Sequence, residues 1–155
     1  GTFSRLGNRL GPAARKAALV EILWATMQRR NLPFIEARRL DSGRSKGEQA
    51  VLWVECVLGK MILQEGVSMH EAFRSGELLC DLVNAVKPGL VPRVTRDADC
   101  RGLGAARLAA RHRDNTTRYL EACCFLGIRP ADSFSTVDLS EARGLDAVVR
   151  NILAL

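Results

Sequence analysis

At 155 residues, 47% of them hydrophobic, the chain matches one globular domain with a short extension, which excludes a largely disordered protein. The net charge of +6 is uneven: residues 1–46 hold 10 Lys/Arg against 3 Asp/Glu, whereas residues 47–155 hold 13 against 14. No apolar run approaches the roughly 20 residues that a bilayer-spanning helix requires.

The basic character therefore belongs to an N-terminal extension, residues 1–46, ahead of a domain expected over residues 47–155. Pro12 suits the first position of a helix, and residues 13–30 follow without a breaker, from Ala13 to Arg30. Leu19, Ile22, Leu23 and Met27 make an apolar stripe there, flanked by Arg15, Lys16, Arg29 and Arg30. Three readings of this basic amphipathic helix are open: a membrane-surface or calmodulin-binding segment, an organelle presequence, or a helix packed back on the domain. Residues 38–47, rich in Arg, Ser, Gly and Lys, read as a linker.

The domain proper opens with a helix over residues 47–58, where Val51, Leu52, Val54 and Val57 surround Trp53 and Gly59 supplies the stop. Ser68 and Glu71 have the spacing of a capping box, in which hydroxyl and carboxylate satisfy each other's backbone amides. They start one helix over residues 69–86, with Phe73, Leu79, Leu82, Val83 and Val86 on a stripe and Pro88-Gly89 beyond its end. Residues 87–105 carry Pro88, Gly89, Pro92, Gly102 and Gly104 and are expected to be irregular, with Lys87, Arg93, Arg96 and Arg101 among them. A long helix over residues 105–126 turns Leu108, Tyr119, Leu120, Cys123 and Leu126 inward, and Gly127, Ile128 and Pro130 form its stop. A last helix over residues 145–153 buries Val148, Val149, Ile152 and Leu153. Nothing alternates with period two for long enough to make a sheet. The expected fold is all-α: four main helices with long connections, plus the N-terminal basic amphipathic helix. Trp53, Phe73, Leu79, Leu82, Leu120 and Leu139 are its expected core.

Catalytic constellations are not found in the sequence. Asp138 and Glu141 are expected to flank a helix start, where the helix dipole favours acids, and His112 sits in a run, Arg111-His112-Arg113-Asp114, expected to be solvated. The glycine clusters do not follow a strand, as a phosphate loop would, and Ser75-Gly76 lacks the strand-to-helix setting of a nucleophile elbow. Five cysteines, Cys56, Cys80, Cys100, Cys123 and Cys124, include no Cys-x-x-Cys pair, and His70 and His112 lie far apart, so neither a zinc site nor a cofactor is expected. The odd count points to reduced thiols in the cytoplasm. Seven arginines and three aspartates between Arg93 and Arg118 make a surface that attracts polyanions. No aromatic residues interleave with them to stack bases, which argues against nucleic acid.

Four segments, in order, resemble the calponin homology domain. Residues 53–59 (Trp-Val-Glu-Cys-Val-Leu-Gly) are similar to its tryptophan-centred first helix, and residues 72–89 to its signature helix. Asp114-Asn115-Thr116 with Tyr119-Leu120 and the run up to Ile128 resembles its third, and residues 132–139 with the last helix resemble the closing segment of calponin and transgelin. Ser75 departs from the family, which usually has Asp before that glycine; the stretch around Arg111–Asn115 looks more like the single domain of IQGAP-type scaffolds. The resemblance implies a non-enzymatic cytoskeletal binding module: an actin-filament binder, with a signalling or scaffold adaptor and a microtubule-binding module as the alternatives. Filaments are acidic, so charge and position select Lys87, Arg93, Arg96, Arg107, Arg111 and Arg113 as candidate contacts.

Overall fold

The computed structural model describes residues 45–155; the extension with its helix at residues 13–30 lies outside the described residues. Six helices follow in order: α1 Lys46–Leu58, α2 Met69–Phe73, α3 Glu77–Val86, α4 Ala105–Phe125, α5 Thr136–Ser140 and α6 Leu145–Ala154. Short 3₁₀ turns at Asp97–Cys100 and Pro130–Asp132 interrupt the connections on either side of α4. Among the described residues there is no strand. The fold is all-α, with four longer helices and two single-turn ones.

Helix α1 is the central one. Ser45 and Glu48 cap its start reciprocally, and seven consecutive residues, Ala50 to Cys56, are buried. Burial all round marks a helix enclosed by neighbours, here α3 and α6. Gly59 ends it at φ 66°, a left-handed value that costs glycine nothing. One buried residue is a carboxylate: Glu55 Oε1 accepts from the Ile62 and Leu63 amides at 3.0 and 3.3 Å, which anchors the connection to α2. Phe73, Leu79, Leu82 and Leu139 are fully buried and Trp53 nearly so; Leu120 is only partly buried, and its neighbour Tyr119 fills the core position instead.

The helix expected over residues 69–86 is two helices. Gly76 stands between them at φ 73°, and one left-handed residue is enough to turn the chain and end the α2 hydrogen-bond run. The inner face of α4 also differs from expectation. Its buried residues are His112, Asn115, Thr116, Tyr119, Ala122 and Cys123, an inward stripe of helical spacing that is largely polar. Tyr119 donates to Asn151 Oδ1 of α6 at 2.6 Å, and Asn151 Nδ2 donates to the Asp132 carbonyl at 2.9 Å, so the buried polar groups satisfy one another. Helix α4 ends as its sequence implies, with the Ile128 amide on the Cys123 carbonyl and the Gly127 amide on that of Cys124.

Two further caps carry acids. Glu71 pairs with Ser68 ahead of α2, and Asp138 with Ser135 ahead of α5; Glu141 falls at the far end of α5 rather than at a helix start. Hydrogen bonds from the serine backbone and hydroxyl hold both carboxyls below their usual values of 4.5 and 3.8. A carboxyl held low when folded contributes stability above its unfolded value and loses it as pH falls through the folded one. The contribution of both caps to the melting temperature should therefore be constant above about pH 5 and decline in acid. Thermal melts of Glu71→Gln and Asp138→Asn across pH 2–6 should show a flatter acid limb than the parent protein.

Candidate partner-binding surface

Helices α3 and α4 pack side by side, and residues 91–97 run back across both. Nearly every step of this strap is tied down. Asn84 of α3 uses both ends of its amide on Val91, accepting from the amide at 2.8 Å and donating to the carbonyl at 3.0 Å. Arg118 of α4 donates to the Arg93 carbonyl at 3.0 Å. Asn115, fully buried, accepts from the Thr95 amide at 2.9 Å and donates to the Thr95 and Ser75 carbonyls at 2.7 and 3.0 Å. The Arg96 guanidinium takes both oxygens of Asp81 at 2.7 and 2.8 Å, with Glu77 at 3.7 Å. That bidentate pair raises the Arg96 pKa. Finally Asp97 meets His112 Nε2 at 2.6 Å.

The sequence reading of His112 as a solvated residue is thereby corrected. It is 7% exposed, and its neighbours Arg111 and Arg113 take the outward positions on either side. Consecutive helical residues point about 100° apart, so a charged run on one helix cannot all face water.

The six candidate cations fall into different settings. Arg93, Arg107, Arg111 and Arg113 are exposed and form no ion pair among the described residues. By helical rotation Arg107, Arg111 and Arg118 share one flank of α4, the flank at which Arg118 holds the strap; Arg113 lies on the opposite flank. Arg96 is committed to Asp81. Lys87 sits at the end of α3 with Nζ 4.6 Å from the ring centre of Phe125, an aromatic left 67% exposed at the end of α4. The structure thus groups Arg93, Arg107 and Arg111 along one edge and sets Arg113 and Lys87 apart. Sequence reasoning missed Arg118 and Asp81, whose roles depend on partners 15 or more residues away.

Beside the strap a polar cleft of about 350 Å³ is lined by Lys60, Arg74, Glu77, Asp81, Arg96 and Asp97 among others, charges of both signs in near balance. Among the described residues no group of three or more His, Cys, Asp or Glu is placed to hold a metal ion. Cys56, Cys80, Cys100 and Cys123 are buried and Cys124 is exposed, all as free thiols. Burial pushes the Cys80 thiol up to about 12, so it behaves as a small apolar side chain.

The profile of the calponin homology (CH) domain matches residues 44–155. The chain belongs to the calponin homology domain family. Myophilin of Echinococcus granulosus is 28% identical over 76% of this chain and 58% of its own length. Calponin-2 of Bos taurus is 29% identical over 76% of this chain and 35% of its own. Rac guanine nucleotide exchange factor B of Dictyostelium discoideum is 28% identical over 66% of this chain and only 8% of its own. The chain thus spans between a twelfth and three fifths of these relatives. No solved structure matches it significantly. With calponin and myophilin as relatives, this calponin homology domain is a cytoskeleton-related module. Among the described residues no helix is long and apolar enough to cross a membrane.

Proposed function

We propose that this domain binds actin filaments through the basic edge formed by Arg93, Arg107 and Arg111. The observation that carries this reading is the contrast among the cations. Arg96 is neutralised by Asp81, whereas Arg93, Arg107 and Arg111 are exposed without an acidic partner among the described residues. Unneutralised guanidinium groups on a rigid helix and a tethered strap suit an acidic polymer, since they speed encounter and fix register. Affinity built this way falls as salt rises.

Co-sedimentation with actin filaments across a salt series tests the reading. Reversing Arg107 and Arg111 together to Glu should weaken binding about tenfold or more at low salt and flatten the salt dependence. Binding that survives both reversals at low and high salt alike would remove this edge. A parallel series with microtubules decides between two acidic polymers; sedimentation with tubulin alone would move the assignment there. The extension is a second attachment point in this scheme, either to the filament or to calmodulin through residues 13–30, and removal of residues 1–46 should then reduce filament affinity.

A further inference from the structure

We propose that residues 91–97 are a pre-set strap that presents Arg93 to the filament, and that Arg96 is a positioning residue acting through Asp81 rather than a contact. The proposal rests on the filament-binding reading above and adds to it how the edge is kept in shape.

Seven residues of connecting chain on a surface, most of them outside any helix, would ordinarily sample many conformations, and ordering them on binding would cost affinity. Here that ordering is already done. Val91, Thr95, Arg96 and Asp97 are tied by side chains of α3 and α4, and the Arg93 carbonyl by Arg118. Asp97 is held twice, its amide also donating to Glu77 Oε2 at 3.3 Å. Between these ties Pro92 and Arg93 are the exposed residues, and Arg93 alone of the two is charged. Arg93 is therefore the strap's one cation without an acidic partner among the described residues, and it is fixed at its backbone. Arg96, three residues on, lays its guanidinium against α3 with its side chain still 43% exposed, and closes the strap there with two short charge-assisted bonds.

Asp81→Asn separates the two roles by sign. The substitution removes a negative charge and releases Arg96. If Arg96 is a contact, or if net charge alone sets affinity, binding to actin filaments should tighten. If Arg96 positions Arg93, binding should weaken, by about fivefold, although the surface has become more basic. In an Arg93→Ala background the same substitution should then change nothing, because the presented group is gone. Asp81 is only partly buried, with its side chain 21% exposed, so Asp81→Asn should keep the fold; a melting curve checks this. Amide exchange, measured without filaments, reads the tether by itself: the Thr95 amide should exchange about tenfold faster in Asp81→Asn while the centre of α4 is unchanged. Unaltered Thr95 exchange overturns the positioning role whatever the filament data show. Faster exchange with equal or tighter filament binding overturns the presenting role and leaves the basic edge standing. A parent protein that stays in the supernatant at low salt overturns the filament reading, and presentation to filaments with it.

Discussion

Replacing Asn115 by alanine is expected to lower stability by about 3–5 kcal/mol, since it orphans three partly buried backbone groups at roughly 1–3 kcal/mol each. Those groups are the Thr95 amide, the Thr95 carbonyl and the Ser75 carbonyl, all now paired with one fully buried side chain. For a domain of this size the melting temperature should fall by about 12–20 °C. Asn115→Asp is the sharper variant. It keeps the oxygen that faces the Thr95 amide but turns the donor that faces two carbonyls into an acceptor. Its loss should match or exceed that of alanine at neutral pH and shrink in acid, where the carboxyl can donate again. A chemical-denaturation series at pH 4 and 7 measures both. Equal stability of Asn115→Ala and the parent protein would mean that Asn115 does not carry the strap.

The longer helices at either end and in the middle of the domain were readable from sequence because their starts and stops are written in local capping and breaking residues, Gly59 after α1 and Gly127 after α4 among them. The expected limits of 47–58, 105–126 and 145–153 fall within one residue of α1, α4 and α6. What was not readable depended on partners distant in sequence. Gly76 looks like a tolerable interruption of a helical pattern until α4 is placed against it. His112 looks solvated among arginines until Asp97 is brought to its ring. The signal for it was present in the spacing of His112, Asn115, Thr116 and Tyr119, an inward face that hydropathy does not register. Helix α5 had a signal too: Ser135 and Asp138 are spaced as a capping box, like Ser68 and Glu71. The surface cations were legible as charges but not as free or engaged. Arg93 and Arg96 are alike in sequence, and only the fold brings Asp81 to one of them.

Gly76→Ala should be among the most damaging single substitutions in the domain, at about 2–5 kcal/mol, because it breaks two requirements at once. At φ 73° any side chain costs about 1–2 kcal/mol in backbone strain. The added Cβ would also stand 2.8 Å from Asn115 Cβ, 3.0 Å from the Thr116 backbone nitrogen and 3.2 Å from Thr116 Oγ1. None of these is the loose end of a flexible side chain, so α3 and α4 must move apart, at about 1–3 kcal/mol for the overpacked contact. Gly59→Ala supplies the comparison. That residue has a similar φ of 66° with nothing within 4 Å of the added carbon, so it should cost only the backbone part. Equal losses in the two variants, by denaturant melts, would show that close approach of the helices is not what requires glycine at 76. A larger loss at 76 carries a further consequence: displacing the start of α3 shifts Glu77 and Asp81 with it, and Arg96 loses the partner that closes the strap. In Gly76→Ala the Thr95 amide should therefore exchange faster even at temperatures well below the melt, which ties the geometry of one glycine to the shape of the basic edge.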